Sequence, residues 1–301
     1  MKIRVLGSAA GGGFPQWNCG CFNCREGRRR NGRARPRTQE SLAVSADGES
    51  WFLINASPEI RAQIEACSDL WPRAERHSPI AGILLTNGDL DHCLGLLSLR
   101  ESYPLTLYAT EAVRAGFTEG NVLYRTLERF PEQITWRRLV PGQAQPLGEL
   151  GNELQVTAIP APGKLPLHLE GRRAPSPEDN VGFVISEGSG RRLAYFSGIA
   201  GPSPEVEQAL ADADVVFFDG TFWSSDELIS AGLGTRSAEE MAHWPIGGAA
   251  GSLQFLSQPR LMTVYIHINN TNPILYEDSP EQRAVTAAGI LVAHDGLEWD
   301  L

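Results

Sequence analysis

Apolar residues in this chain come in short runs that end in polar knots, and most runs have the length of strands. Residues 2–6, 41–45 and 51–55 read as strands, the last two joined by the turn Asp47-Gly48. Residues 80–86 form a continuous apolar run, as expected of a strand buried on both faces. Further strands are predicted over 105–109, 154–159, 215–218 and 261–266, with a hairpin of 181–186 and 192–196 around Gly188 to Gly190. Helical spacing is found over 58–67, from 94 to 99, over 112–130 with a glycine interruption, and over 206–211, 238–243 and 280–288. A last short hairpin follows. The longest irregular stretch, 160–177, is rich in proline. Neither a fixed repeat nor an interdomain linker interrupts this order. Residues 1–301 therefore read as one domain, a layered α/β sandwich.

Polar residues gather just past the ends of the buried runs, where α/β proteins tend to place their sites. Asp89-Leu90-Asp91-His92 follows the run 80–86, Asp219 follows 215–218, and His267 follows 264–266. Carboxylates at the mouth of a core strand are costly unless something positive compensates them. A metal ion does so, and oxygen plus imidazole donors suit Fe²⁺, Mn²⁺ or Zn²⁺. Asp91 as a helix cap beside a solvated His92 explains the first knot equally well. Three strand ends that can converge favour the metal.

Cys19, Cys21 and Cys24 form a Cys-x-Cys-x-x-Cys motif. Thiolates at this spacing can converge on one soft cation, usually a structural Zn²⁺, but three ligands are one short of a closed tetrahedral site. The cysteines number five, an odd count, and no export-like segment opens the chain, so metal is expected before disulfides. Cys67 is expected inside a helix, and Cys93 adjoins the acidic knot.

A formal net charge of −10 argues against a nucleic-acid binder and against docking on anionic membranes. No run approaches the ~18 to 20 apolar residues of a membrane span, so a cytoplasmic protein without membrane insertion is expected. The Arg- and Gly-rich stretch 25–37 reads as a solvated loop.

The strand-end residues carry a resemblance to the metallo-β-lactamase superfamily. Its His-x-His-x-Asp-His signature aligns with Asn87-Gly88-Asp89-Leu90-Asp91-His92, which keeps the final Asp-His and replaces the first two histidines. Asp219 resembles the bridging Asp and His267 the last His. The usual intervening His falls on Ala161-Pro162-Gly163-Lys164, which offers none. The opening Gly7-Ser8-Ala9-Ala10-Gly11-Gly12-Gly13-Phe14-Pro15-Gln16-Trp17-Asn18-Cys19 is narrower. With Arg37-Thr38-Gln39, Asn55-Ala56-Ser57-Pro58, Gly95-Leu96-Leu97-Ser98-Leu99-Arg100-Glu101, Asp219-Gly220-Thr221-Phe222-Trp223 and His267-Ile268-Asn269-Asn270-Thr271-Asn272-Pro273-Ile274-Leu275, it resembles the coenzyme PQQ (pyrroloquinoline quinone) synthesis protein B family from end to end.

The resemblance implies a four-layer αββα sandwich. It implies a structural zinc on Cys19, Cys21 and Cys24 near a subunit interface, hence a homodimer. In related phosphodiesterases the fourth zinc ligand is a His whose position here is Asn270. His243 is similar to a His that supports the active site in those relatives, although a helix-surface role fits it nearly as well. The active-site metal, Fe²⁺ by its chemistry, would lie on Asp91, His92, Asp219 and His267, with Asp89 as an extra ligand. Two His and a carboxylate with open positions are the ligands of non-haem iron oxygenases. The implied reaction is hydroxylation of the tyrosine of a Glu-Tyr precursor of PQQ. Arg37, Asn87, Asn269, Asn270 and Asn272 are the candidate substrate-binding residues. Two other functions stay open: a carrier that binds PQQ or its precursor for transport to the periplasm, and a metal-dependent hydrolase.

Overall fold

The structure, a computed structural model, describes residues 1–29, 32–148, 153–257 and 262–301. Its strands form two seven-stranded sheets. The first takes β1 (Lys2–Gly7), β2 (Ser41–Ser45), β3 (Trp51–Ile54), β4 (Ile80–Leu84), β5 (Leu105–Ala109) and β6 (Ile134–Arg138). The second takes β7 (Ala144–Pro146), β8 (Leu154–Pro160), β9 (Val181–Glu187), β10 (Arg192–Phe196), β11 (Val215–Asp219), β12 (Met262–Ile266) and β13 (Leu291–Val292). The chain then returns to the first sheet as β14 (Glu298–Asp300), which pairs antiparallel with β1. Strand order is β14-β1-β2-β3-β4-β5-β6 and β13-β12-β11-β10-β9-β8-β7.

Each sheet is antiparallel in one half and parallel in the other. β3 to β6 run parallel, and so do β10 to β13. The continuous apolar runs lie in those parallel halves because both faces there are covered. β11 and β12 are buried at every position. On the inner faces Val5, Phe52 and Ile54 of one sheet meet Phe183, Phe217 and Val264 of the other. On the outer faces Phe218 packs with Val206 and Leu210 of the helix Pro204–Ala211, and Ile83 with Ile60 and Val113. This is the expected αββα layering.

Several local expectations change. β6 and β7 are added at the sheet edges, where a half-exposed pattern gives no apolar run. The two C-terminal strands are no hairpin. β13 pairs with β12 and β14 with β1, so each completes a different sheet. The helix expected over 238–243 is one 3-10 turn, Glu239–Met241, because Ala242 takes φ +65° and breaks it. The segment 112–130 splits at Gly120 into a helix, Glu111–Thr118, and a 3-10 turn, Val122–Thr126. The first residue of the strand expected over 261–266, Leu261, and Arg30 and Asn31 of the basic stretch lie outside the described residues. Among the described residues no helix is long and apolar enough to cross a membrane.

The C-terminal ends of the parallel strands meet at one edge of the sandwich. There the two sheets are stitched by backbone bridges between Asn87 and Asn180 and between Ala9 and Ile268. Val181 N–H donates to the Thr86 carbonyl at 2.9 Å, and Ile268 N–H to that of Ser8 at 2.9 Å.

Candidate metal centre

β4, β11 and β12 deliver the predicted residues to this seam. A cavity of about 480 Å³ is lined by Asn87, Asp89, Asp91, His92, His243, His267 and Asn269, among others. Two groups of potential donors open on it. Asp91, His92 and His267 form one, and Asp219, His243 and His267 the other. Within each group the donor atoms lie no more than 4.8 Å apart. His267 belongs to both. The Asp89 carboxylate lines the cavity but joins neither group; its residue is the N-cap of the short helix Leu90–Cys93. Asp91 is thus inside the helix and does not cap it.

The backbone is bent to present these groups. His267 follows β12 at φ +58° and Asn55 follows β3 at φ +63°, a left-handed conformation that costs a non-glycine residue roughly 1–2 kcal/mol. Gly95 lets the turn after His92 sit against the loop after Asn55. A Cβ there would lie 2.0 Å from the Ser57 carbonyl oxygen.

Both imidazoles are oriented by threonines. Thr221 Oγ1 donates to Asp219 Oδ1 at 2.5 Å and lies 2.8 Å from His267 Nδ1. With its one hydrogen on Asp219, the hydroxyl can only accept from His267 Nδ1–H. His92 Nδ1 is held by two groups, Thr86 and the Asn55 amide. Thr86 Oγ1 donates to Asn55 Oδ1 at 3.1 Å and lies 3.0 Å from His92 Nδ1. Thr86 N–H fixes the Asn55 amide at 3.0 Å, and Asn55 Nδ2 lies 2.8 Å from His92 Nδ1 and 2.9 and 3.0 Å from the two Glu40 oxygens, so its two hydrogens bridge the imidazole and the carboxylate. Nε2 of each histidine is thereby turned toward Asp91, at 3.3 Å for His267, where Nε2–H donates to the carboxylate and a cation would displace that proton, and at 3.6 Å for His92. Such outer partners fix ligand tautomers in metal sites.

Electrostatics agree. Burial opposes ionisation of Asp91, but the neighbouring His92 and His267 outweigh it and hold the carboxyl well below its usual range. Burial would lower His267, yet the hydrogen bond and charge of Asp91 raise it to about 9. Burial pushes Glu40 up to about 7. Such a concentration of perturbed groups marks functional sites. Asp219, fully buried, accepts from Ile199 N–H and His243 Nδ1 through Oδ2, at 3.1 and 2.7 Å. His243 thereby faces the cavity instead of lying on a helix surface.

The position of the two missing histidines is closed by amides. Asn87 Nδ2 donates to Asn180 Oδ1 at 3.3 Å, and Asn180 Nδ2 to the carbonyls of Gly198 and Ala161, at 2.8 and 3.3 Å. Asn180 also fills the side-chain space of Gly163, where a Cβ would lie 2.5 Å from its Nδ2. Residues here do not fit a second ion. Asn87→His alone is therefore expected to leave metal content unchanged by elemental analysis, and an extra equivalent of metal would refute the closure.

Three expected substrate contacts are corrected. Arg37 is buried away from the cavity, its guanidinium on the carbonyls of Ala293 and Arg35. Asn272 is fully buried and caps the turn Pro273–Leu275 while donating to the Gly220 carbonyl. Asn270 sits over the cysteines instead, its Nδ2 3.2, 3.7 and 3.4 Å from the sulfurs of Cys19, Cys21 and Cys24. Those three thiols form a group of their own. Cys67 is the C-cap of a helix and not inside it. Residues that sequence reasoning passed over are Thr86, Thr221, Asn55, Glu40, Asn180 and Lys164, the last on the cavity wall. Thr221 and Asn55 stand inside quoted motifs, which was the available signal.

A β-lactamase superfamily domain matches residues 50–268. The chain is 45% identical to a coenzyme PQQ synthesis protein B of Methylorubrum extorquens over 309 aligned residues, with both chains covered in full. It is 44% identical to that of Azotobacter vinelandii over 303, again with full coverage. The crystal structure of Zn²⁺-bound PqqB from Methylobacterium extorquens superposes with a TM-score of 0.93 at 44% identity over all of both chains. A diphosphatase of the PhnP family, at 22% identity and TM-score 0.67 over all of this chain and 97% of its own, shares the fold.

Proposed function

Because the chain belongs to the coenzyme PQQ synthesis protein B family of the β-lactamase superfamily, we propose that its part in PQQ biosynthesis is an iron-dependent hydroxylation of the tyrosine of a Glu-Tyr precursor. The observation that carries this reading is the trio Asp91, His92 and His267 beside a second metal position closed by Asn87 and Asn180. Hydrolases of this kind use a hydroxide held between two ions, whereas two His and one carboxylate on a single ion suit a non-haem iron oxygenase. Asp219 and His243 flank the trio within reach of His267.

Fe²⁺ in this cradle supplies the redox chemistry by which O₂ is activated. The chain's residues do the rest. Thr221 holds His267, and Thr86 with Asn55 holds His92, each through Nδ1 so that Nε2 faces the site, and Asp219 holds His243 toward the cavity through Nδ1. Lys164, which makes no ion pair among the described residues, is placed to receive a substrate carboxylate. Balance requires O₂, two electrons and two protons for each tyrosine hydroxylated, with water as the other product, so a reductant must be added. A structural zinc on Cys19, Cys21 and Cys24 completes the reading; Asn270, whose amide nitrogen lies over the three sulfurs, stands at the fourth position and would offer its oxygen there with the amide turned over. Zn²⁺ bound to the crystallised relative supports zinc in this family. Exposed Trp17 and Phe22 beside this loop support a homodimer across it. We take residues 1–301 as one domain acting in the cytoplasm.

The test is anaerobic loading with Fe²⁺, then Glu-Tyr, a reductant and O₂, with products followed by mass. Gain of one or two oxygen atoms with Fe²⁺ and not with Zn²⁺ is expected. Unchanged peptide with tight PQQ binding would turn the assignment to a carrier, and a cleaved peptide to a hydrolase. In the same assay Thr221→Val is expected to weaken iron binding about 10- to 100-fold while Thr221→Ser retains it. Equal affinities in the two variants would remove the relay.

A further inference from the structure

Beside the metal cavity lies a second one of about 570 Å³. The two share a partition made of Leu90 and His168. Leu90 stands in sequence between Asp89 and Asp91 and is 59% exposed. Single exposed leucines are ordinary. Here Leu90, Leu123 and Leu167 all line one cavity or the other and are all exposed, and such a gathering marks a binding surface. Leu94, Leu97, Phe117 and Leu169 supply the apolar wall of the second cavity.

Its charged groups are unequal. Arg173 is committed to Asp179 by two hydrogen bonds, one of 3.0 Å. Glu119 lies in the field of Arg114 and Arg173. Arg172, exposed on the same wall, makes no ion pair among the described residues. His168 Nε2 lies 3.1 Å from the Gly116 carbonyl, which can only accept, so Nε2–H donates there and fixes the ring at the partition. None of these residues belongs to the metal groups.

We infer that this cavity is a second substrate subsite, which takes an apolar group bearing a carboxylate. The apolar part lies on Leu94, Leu97 and Phe117, the carboxylate meets Arg172, and the molecule continues over Leu90 and His168 to the metal. The inference rests on the proposed reaction only for which end of the substrate reacts. A molecule filling both cavities is an extended, amphipathic acid, larger than a single amino acid.

The probe is 4-phenylbutyrate, titrated calorimetrically into the protein with its metals in place. Ala115 lies on the cavity wall and is half-buried, so Ala115→Trp fills the space and is expected to weaken binding at least about 10-fold. Leu123→Glu, at an exposed site that does not burden folding, is expected to act likewise. The uncharged 4-phenylbutanol should bind about 10-fold more weakly than the acid, and Arg172→Glu should erase that preference. His267→Ala should leave binding of the acid unchanged. Binding lost in His267→Ala yet kept in Ala115→Trp and Leu123→Glu would put the carboxylate on the metal and overturn the inference. Absence of binding at millimolar probe would overturn it too. If the probe binds as described but Glu-Tyr is never hydroxylated, the reaction falls and the subsite stands.

Discussion

His267→Ala is expected to abolish metal binding at the candidate site and, with it, the proposed hydroxylation of Glu-Tyr. His267 is the residue shared by both donor groups, so its loss leaves Asp91 with His92 on one side and Asp219 with His243 on the other. Neither pair makes a three-donor site. Removing a partner one bond outside the coordination sphere already costs about 10- to 100-fold in affinity, so removing the shared ligand should cost more than about 100-fold. Asp219→Ala is a useful contrast. It deletes the acceptor of Thr221 and His243 but leaves the trio of Asp91, His92 and His267 intact. Iron titration should show weakened binding there and none in His267→Ala. Equal affinity in His267→Ala and the unaltered protein would exclude the trio as the iron site.

Cys24→Ala is expected to release one equivalent of zinc and to lower thermal stability. Cys24 is completely buried in an apolar cluster with Phe14, Ala34 and Ile268, and Asn270 hangs over its sulfur. Burial alone would disfavour a thiolate at Cys19, but hydrogen bonds from the Cys21 backbone, the neighbouring thiols and Asn270 pull it below its ordinary range. Burial and the neighbouring thiols push Cys21 up to about 11, so the cluster favours one thiolate at Cys19 and a cation is needed to ionise the others. At zinc 1,000-fold above the dissociation constant, linkage contributes about 4 kcal/mol. At ~2 °C per kcal/mol for a large domain, the melting temperature should fall by about 8 °C. Calorimetry with elemental analysis checks both numbers. Full zinc content in Cys24→Ala would remove the cysteines from metal binding.

The αββα class and the strand ends that converge at the candidate site were legible because both depend on local patterns. Buried parallel strands leave long apolar runs, and polar residues just past 80–86, 215–218 and 264–266 stand out against them. The relays were not legible. Thr221 reaches His267 because β11 and β12 pair in the register that sets Asp219 opposite Ile266, and register between strands far apart in sequence is not encoded in spacing. Polarity misled around His267, where Asn270 and Asn272 lie within five residues of the site. The left-handed backbone at His267 turns the chain, and the following amides serve that turn and the cysteine loop. The C-terminal strands were read as partners because they are neighbours in sequence, whereas each finds a sheet edge already waiting.

The amides of Val181 and Ile268 cross from one sheet to the other beside the ligands. Opening the sandwich at that seam must separate Asp91 and His92, which follow the first sheet's β4, from His267, which follows the second sheet's β12. A cation held by all three resists that separation, and its binding energy adds to the cost of every such opening. Hydrogen exchange at these two amides should therefore slow on iron loading, while exchange within the outer helix Pro280–Ala287 stays as it was. An ion bound there would act as a clasp between the layers, and exchange at the seam would report its occupancy without any turnover.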